Sequence, residues 1–401
     1  MADNKDKKVL NVPALRFPEF SGEWHKHSLG EIGETIIGLT YKPSDVVADN
    51  GIIVLRSSNI KNGVIDYSDL VRVNKHVKDR IITKENDILV CSRNGSQRLI
   101  GKNAIIKRED INNTFGAFMM VYRSNDNPFI LPLLSTRRYI SQVGENLGAR
   151  INQITTSDFN GFEFYFPENH VERAKIAELF RLLDERIATQ NKIIEKLETL
   201  IKGIVDSIFT ANEFPKVPFK EIYVRAGEGG TPATSNPEYY DNGTIPFIKI
   251  DDLQNKYIKT NKDCITELGL QKSSAWIVPA NSIIYSNGAT IGAISINLFP
   301  VCTKQGILGV VPKADINVEF LYYFMTSTAF TKAVERIVTE GTMRTAYLKD
   351  INHIPCPVPC SVKQDEIAKL LSTLSEKLEN EVIFQMKLQK QKEFLLSQMF
   401  I

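Results

Sequence analysis

Residues 170–210 read HVERAKIAELFRLLDERIATQNKIIEKLETLIKGIVDSIFT, a stretch in which Gly203 is the only residue that weakens a helix. Apolar residues recur here at spacings that alternate between four and three, the a/d pattern of a coiled coil. The pattern predicts one helix from near His170 to about Thr210 that packs along another helix. Its predicted seam is Ile176, Phe180, Leu183, Ile187, Ile194, Leu197, Ile201, Ile204 and Ile208, with Gln190 as a polar intruder.

A second stretch, residues 362–401, continues the same register with polar interruptions at Glu381, Gln385 and Lys392. Polar seam residues cost stability but fix register and orientation. Each helix of about 40 residues would extend about 60 Å. We expect the two helices to pair antiparallel, as a spacer between two domains related by a pseudo-two-fold axis. Ordinary helices of globular cores remain an alternative, because amphipathicity alone also produces an apolar stripe. The second predicted seam is Ile367, Leu371, Leu374, Leu378, Leu388, Leu395 and Met399.

The chain repeats one plan with a period of about 190 residues. The matched segments keep their order along the sequence, which chance similarity would not preserve. They are residues 56–62 with 249–255, 86–95 with 281–288, 166–167 with 358–359, 176–180 with 367–371, and 207–209 with 398–400.

Each copy begins with about 145 residues in which short β-branched runs alternate with Gly, Asn, Asp and Pro. This mixture predicts a compact, strand-rich α+β domain. The predicted segments are an N-terminal segment (1–22), a first recognition domain (23–169), a first spacer helix (170–211), a second recognition domain (212–361) and a second spacer helix (362–401).

Composition narrows the class of protein. The 401 residues are 43% hydrophobic and 24% charged, which is typical of a globular protein, and the net charge is only +2. Five scattered cysteines argue against a disulfide framework, and neither a secretory signal nor an apolar run of bilayer length is present. We expect a cytoplasmic protein. The near-neutral charge disfavours binding to DNA by non-specific attraction alone.

The chain lacks a convincing catalytic motif. Asn127-Pro128-Phe129 lacks the second proline of an adenine methyltransferase motif, and Gly95 to Lys102 has the wrong spacing for a phosphate-binding loop. His353, Cys356 and Cys360 lack a fourth zinc ligand. We therefore expect no catalytic, cofactor or metal site in this chain.

Over essentially its whole length the chain resembles the specificity subunit of type I restriction–modification systems. The resemblance rests on the domain–helix–domain–helix plan, the duplication, and local motifs that keep their order. These motifs are Leu15 to Trp24 (LRFPEFSGEW), Leu29 to Ile32 (LGEI) and Tyr285 to Gly292 (YSNGATIG). The second copy has no counterpart of Trp24, and the loop after Arg93 is longer than its counterpart after Asn287, so base contacts cannot be copied between the halves.

The resemblance implies a DNA-binding subunit whose two domains each read one half of a bipartite, asymmetric target. The helices would set the gap and dock adenine-N6 methyltransferase subunits, two in number, and restriction/translocase subunits would join them. S-adenosylmethionine, ATP and magnesium would bind to those partner subunits. The alternatives are a coiled-coil scaffold whose two domains bind proteins, and an enzyme with an unrecognised site.

Candidate DNA contacts are loop residues with forked donors, amides, hydroxyls or positive charge, the groups that read base edges and hold phosphates. In the first domain they are Thr40, Tyr41, Lys42, Arg56, Ser58, Asn59, Arg93, Asn94, Ser96, Gln97, Arg98, Arg150, Asn152 and Gln153. In the second domain they are Lys249, Asp251, Asp252, Ser286, Asn287, Thr290, Lys304, Gln305, Arg344 and Thr345. Arg93 and Arg98 are the strongest candidates for the first half-site.

Overall fold

The computed structural model describes residues 10–149, 152–211, 214–288, 290–338 and 344–401. The chain divides into two compact units: residues 1–190 with 384–401 form the first unit, and residues 191–383 form the second. Both boundaries fall inside the long helices. Each unit therefore contains one strand-rich domain and a section of each helix.

The first domain is built from short strands and four short helices. Its strands are β1 (His25–Ser28), β2 (Glu34–Ile37), β3 (Val46–Val47), β4 (Ile52–Leu55), β5 (Ile60–Lys61), β6 (Val64–Ile65), β7 (Arg72–Val73), β8 (Ile88–Cys91), β9 (Asn103–Ile105), β10 (Thr114–Phe115), β11 (Met119–Arg123) and β12 (Glu163–Phe166). Its helices are α1 (Leu29–Ile32), α2 (Asn127–Leu133), α3 (Arg137–Ala149) and α4 (Thr156–Asn160), and the long helix α5 (His170–Thr210) follows.

Strand β8 lies inside an antiparallel sheet of order β2-β11-β8-β9. Ile88 and Val90 face one apolar cluster, whereas Leu89 and Cys91 face another. A strand that is covered on both faces reads as a continuous apolar run, and this explains the sequence Ile88-Leu89-Val90-Cys91. A second sheet, of order β10-β4-β7-β3, includes a parallel pair between β10 and β4.

The second domain repeats this construction. Its strands are β13 (Lys216–Pro218), β14 (Tyr223–Glu228), β15 (Ile245–Ile248), β16 (Tyr257–Ile258), β17 (Asp263–Ile265), β18 (Ile283–Ser286), β19 (Ile294–Asn297), β20 (Cys302–Thr303), β21 (Ile307–Pro312) and β22 (Pro355–Pro357). Its helices are α6 (Glu267–Gln271), α7 (Val318–Thr326), α8 (Thr328–Ile337) and α9 (Leu348–Ile351), and the long helix α10 (Ser361–Met399) follows.

Strand β18 is the counterpart of β8. It lies between β21 and β19 in a sheet of order β14-β21-β18-β19-β16. β15 pairs in parallel with β20, as β4 does with β10. Leu89 pairs with Val121 in the first domain, and Ile284 pairs with Gly309 in the second. The predicted α+β class and the internal repeat are therefore confirmed.

In the first unit, the long helices run antiparallel. The rings of Phe180 and Phe400 lie 5.6 Å apart, and Lys392 forms an ion pair with Asp184. The guanidinium of Arg186 lies 5.5 Å from the ring centroid of Phe384. As the residue numbers of the first helix rise from 180 to 186, those of the residues that they contact fall from 400 to 384. This order agrees, for this part of the chain, with the expected antiparallel pairing of the two helices.

In the second unit, sections of both helices join the core of the second domain. Ile367 and Leu371 of α10 belong to the same buried cluster as Val205 and Phe209 of α5. Phe209 contacts Phe320, with ring centroids 5.3 Å apart. The heptad pattern left Val205 and Phe209 out, because the last turns of α5 also pack against the domain and their apolar stripe is wider than a two-helix seam.

The predicted seam residues of both helices are buried or half-buried in their respective units. Gln190, the polar intruder in the first helix, is only 3% exposed. Within the described ranges, no helix combines the length and the apolar character that a bilayer span requires.

Candidate nucleic-acid interface

Three segments of the first domain meet where strand β8 ends. The backbone N–H groups of Ser92 and Arg93 both donate to the carbonyl oxygen of Phe118, at 3.0 Å each. The N–H of Ile154 donates to the carbonyl oxygen of Ser92 at 2.9 Å. Loops that are far apart in sequence are thus joined by backbone hydrogen bonds, which do not depend on the side chains the loops carry.

A cleft of about 460 Å³ opens between these segments, lined by Arg93, Asn94, Gly95, Phe118 and Asn152. The guanidinium of Arg93 lies 5.3 Å from the centroid of the Phe118 ring. Phe118 is 60% exposed, so much of its ring is open to solvent beside the cleft. The cleft combines a cation, an aromatic face and two amides, the groups that bind nucleobases.

Amide side chains hold the walls of this cleft together. Asn94 donates from Nδ2 to the Ser57 hydroxyl at 2.9 Å, which links the cleft to the turn Ser57–Asn59. Asn152 donates from Nδ2 to the carbonyl oxygen of Gly95 at 3.3 Å. Its φ of 56° lies in the left-handed region, which asparagine tolerates better than most residues.

Four of the predicted first-domain contacts come together here. Arg93, Asn94 and Asn152 line the cleft, and Gln153 forms a β-bridge with Arg93. Arg150 lies outside the described residues, as does its neighbour Ile151.

Two other predicted contacts are engaged inside the domain. Asn59 is fully buried, and its amide donates to the carbonyl oxygens of Asp66 and Asp69 at 2.9 and 2.8 Å. Arg56 forms a 2.8 Å ion pair with Asp69. The placement of Asn59 speaks against a base contact, because its hydrogen-bonding groups already hold the backbone of the turn.

The remaining predicted residues of the first domain lie at the surface. Lys42 and Thr40 are exposed and Tyr41 is half-buried, in a loop that follows Leu39, which is bridged to Gly116. Ser58 is exposed on its turn. Ser96, Gln97 and Arg98 are also exposed, and Arg98 lies on the single helical turn Gln97–Leu99.

The second domain uses the same backbone arrangement with different side chains. The N–H groups of Asn287 and Gly288 donate to the carbonyl oxygen of Gly306 at 3.0 and 3.2 Å. The N–H of Ala346 donates to the carbonyl oxygen of Asn287 at 2.9 Å. This pattern makes Asn287 the counterpart of Ser92. Gly288 and Gly306 then stand where the first domain has Arg93 and Phe118.

Two of the predicted second-domain contacts are buried. Ser286 and Asn287 are each 1% exposed, and Asn287 donates from Nδ2 to the carbonyl oxygen of Ala346 at 3.1 Å. A polar residue at the end of a buried strand is placed to hold the neighbouring loop. Ser286 and Asn287 are therefore scaffold residues, and this corrects their expected place on the surface.

Most of the other predicted residues of the second domain lie at its surface. Thr290, Lys304, Gln305, Arg344 and Asp251 are exposed, and Thr345 is half-buried. Lys249 pairs with Asp263 at 2.8 Å, and the Asp252 carboxylate accepts from the Lys249 N–H at 2.9 Å. In the first domain Asn59 accepts from the Arg56 N–H in the same way, at 2.8 Å. The aligned segments 56–62 and 249–255 thus share one turn.

The sequence analysis missed Phe118 and Gly306. Neither residue carries a signal by itself: Phe118 lies in the ordinary run Gly116-Ala117-Phe118-Met119, and only the fold reveals its exposure. The sequence analysis also missed Glu228, whose carboxylate accepts a hydrogen bond from the N–H of Gly306 at 2.7 Å.

Cys91 is the last residue of strand β8. Burial raises the pKa of the Cys91 thiol, beside the cleft, to about 11, so the thiol remains protonated at neutral pH. Among the described residues, no group of three or more His, Cys, Asp or Glu side chains converges as a metal site does.

Comparison with known proteins supplies a family. Residues 21–199 and 216–387 each match the family model described as the type I restriction modification DNA specificity domain. The HindI type I specificity subunit of Haemophilus influenzae is 22% identical over an alignment that covers 89% of this chain and 95% of that protein. The MjaIX specificity subunit of Methanocaldococcus jannaschii is 29% identical, and the match spans only 44% of that protein's length.

A solved structure shares the fold. The crystal structure of the S subunit of a type I restriction–modification system from M. genitalium superposes with a TM-score of 0.60. The alignment covers 97% of this chain and 99% of that chain, at 17% identity. At this identity the likeness concerns the fold alone.

Proposed function

Because the chain belongs to the type I restriction–modification DNA specificity family and contains its domain twice, we propose that it directs a cytoplasmic methyltransferase and endonuclease complex to a bipartite, asymmetric DNA target. It is a specificity subunit with two target-recognition domains. Each domain reads one half of the target. The double family match carries this proposal, since a target in two parts requires two readers.

The paired loops support the reading of two different half-sites. Both domains join three loops at the end of a buried strand by equivalent backbone hydrogen bonds. The side chains differ, with Arg93 and Phe118 in one domain and Gly288 and Gly306 in the other. Two domains with the same backbone arrangement but different side chains bind different base sequences, so the two halves of the target differ.

The long helices set the gap between the half-sites and dock two adenine-N6 methyltransferase subunits. Both helices present large apolar residues to solvent beside their seams. Leu182 and Leu200 of α5 are 51% and 50% exposed, and Met386 and Phe394 of α10 are 52% and 59% exposed. Exposed apolar groups on a regular helix suit a protein interface. Restriction/translocase subunits then join this core.

In this proposal the chain itself performs no chemistry. The partner subunits bind S-adenosylmethionine, ATP and magnesium and perform methylation and cleavage. The alternative of a coiled-coil scaffold with two protein-binding domains is not favoured, because both domains match a DNA specificity domain.

Co-expression tests the proposal. The chain is produced in cells without adenine methylation, together with a type I adenine-N6 methyltransferase subunit from the same genome, and methylated adenines are mapped by sequencing. We expect two short sequences separated by a gap of constant length, with an adenine methylated in each. Deletion of residues 23–169 or 212–361 should abolish this pattern.

Two controls make the experiment decisive. The methyltransferase subunit alone should leave the bipartite sequence unmethylated. The specificity chain alone should methylate nothing; methylation by it would contradict its non-catalytic role. Methylation at one contiguous sequence would contradict the two-reader proposal.

A further inference from the structure

We infer that Arg93 reads a guanine in the half-site of the first domain, and that Phe118 positions the Arg93 guanidinium for this contact. The inference rests on the proposed function and deepens it. It also assigns the second domain a different mode of reading at the equivalent place.

The geometry separates Arg93 from two other arginines of the first domain, which are held by carboxylates. Arg56 is bound to Asp69, and Arg123 makes a 2.6 Å ion pair with Asp87. Within the part of the chain that the structure describes, Arg93 makes no ion pair, and its guanidinium lies over the Phe118 ring. The donors of Arg93 therefore remain available to a ligand.

The chemistry of a forked cation favours guanine. A guanidinium donates two parallel hydrogen bonds to O6 and N7 of guanine in the major groove. An arginine at the surface normally samples many rotamers, and ordering it on binding costs affinity. An aromatic face under the guanidinium reduces that cost, since the cation is already held by the ring.

The backbone of Arg93 is also fixed. Its N–H donates to the carbonyl oxygen of Phe118, and it is bridged to Gln153. The main chains of Phe118 and Arg93 are thus joined directly. This connection keeps the Phe118 ring and the Arg93 guanidinium, 5.3 Å apart, on neighbouring loops.

The second domain cannot use this mode of reading. Gly288 and Gly306 occupy the equivalent positions, and neither has a side chain. The φ of Gly306 is 84°, a conformation that strains other residues, so an aromatic ring is not accommodated there. The second half-site is read from other positions, and the exposed candidates there include Lys304, Gln305 and Arg344.

The test uses the assembled specificity–methyltransferase complex and its mapped target. Each guanine of a target duplex is replaced singly by 7-deazaguanine, which lacks the N7 acceptor, and equilibrium binding is measured. We expect one guanine in one half-site at which the wild-type complex loses about tenfold or more in affinity. Arg93→Ala should lower the affinity of the complex for the natural target about 10- to 100-fold. Replacing that guanine by 7-deazaguanine should not lower the affinity of the Arg93→Ala complex any further.

Companion variants separate base reading from charge and from folding. Arg93→Lys keeps the positive charge but loses the two parallel donors of the guanidinium. We therefore expect it to lose base preference as Arg93→Ala does, while its affinity for non-target DNA is retained. Phe118→Ala should weaken target binding about two- to fivefold, whereas Phe118→Tyr, which keeps an aromatic ring, should bind the target like the wild type. The matched control is Arg138→Ala: Arg138 lies 5.5 Å from the Tyr165 ring centroid, but it donates to the Glu163 carbonyl.

Three outcomes would overturn the inference. Arg93→Ala could weaken target and non-target duplexes equally, which indicates a phosphate contact. It could leave the response to every 7-deazaguanine unchanged. Arg138→Ala could reproduce its effect, which indicates general destabilisation. Failure of the wild-type complex to recognise any bipartite sequence would instead refute the proposed function, so the two failures are distinguishable.

Discussion

The ring of Phe400 packs edge-on against the indole of Trp24, with centroids 6.4 Å apart. A residue that follows the second long helix therefore completes the core of the first domain. Phe400 also contacts Phe129 and Phe180, at 5.7 and 5.6 Å between centroids. The first unit thus depends on residues separated by most of the sequence.

Truncation of this ring tests that dependence. Phe400 is 8% exposed, so Phe400→Ala leaves a cavity among three aromatic rings, and we expect the first unit to lose about 3 kcal/mol of unfolding free energy. The chain has two tryptophans, Trp24 and Trp276, one in each unit. Urea unfolding followed by Trp24 fluorescence in a Trp276→Phe background measures the first unit.

The same helix offers a matched control. Phe394 lies on α10 and is 59% exposed, so Phe394→Ala should change the unfolding free energy by no more than about 0.5 kcal/mol. Equal effects of the two substitutions would show that Phe400 is not part of the first core.

The antiparallel pairing in the first unit predicts a charge-swap result. The Lys392 ammonium lies 2.5 Å from an Asp184 carboxylate oxygen, with the two side chains 20% and 43% exposed. Lys392→Asp places two carboxylates together and should cost about 1 kcal/mol, a value kept small by solvent screening. Adding Asp184→Lys should restore most of the loss.

The salt dependence of urea unfolding provides the check. The penalty of Lys392→Asp should shrink in 1 M NaCl, where charges are screened within about 3 Å. A penalty that is independent of salt, or that the second substitution fails to relieve, would show that the two side chains do not interact in solution.

The sequence predicted the larger scale of this molecule better than its fine detail. The alternation of four and three at Ile176, Phe180 and Leu183 predicted a long helix, because helical periodicity is local. The repeat predicted that loops 86–95 and 281–288 correspond, and the backbone hydrogen bonds at Ser92 and Asn287 agree with that alignment.

The finer detail depends on contacts that a sequence does not display. Asn59 and Asn287 are polar residues that the sequence suggested were exposed, yet both are buried, and their amides donate to carbonyl oxygens that the fold brings near. Phe118 is apolar by composition, yet it is exposed. For these three residues, burial is set by tertiary structure rather than by residue type. Arg93, Asn94 and Asn152 were predicted as contacts, but their convergence on one cleft required the structure.

A partly buried charge cluster around Glu319 predicts how the second unit responds to acid. Burial alone would raise the pKa of Glu319, but hydrogen bonds from Ser372 and Tyr257 and the charge of Lys256, 3.3 Å away, hold it below its usual value of 4.5. A carboxylate with a lowered pKa stabilises the folded state above its unfolded pKa. This stabilisation is lost as the pH falls through the folded pKa.

Glu319→Gln should therefore destabilise the second unit at pH 6 and matter less as the pH falls from 4.5 towards 3. Urea unfolding followed by Trp276 fluorescence, in a Trp24→Phe background, measures the difference at each pH. Glu335→Gln, an exposed change on α8, is the control and should leave the wild-type pH profile in place. A gap between Glu319→Gln and wild type that stays constant from pH 6 to pH 3 would contradict the role of the Glu319 charge.

Arg98 provides a test of base reading outside the cleft. It is exposed on the turn Gln97–Leu99, and within the described residues it makes no ion pair. We expect Arg98→Ala to weaken target binding by about 1–3 kcal/mol and to relax choice at one base pair. Binding of the complex to single-base variants of its target measures this directly. Arg108→Ala removes an equally exposed arginine from the same domain and should leave selectivity unchanged. If Arg98→Ala leaves base selectivity unchanged, Arg98 does not contact a base, and it contacts either a phosphate or only solvent.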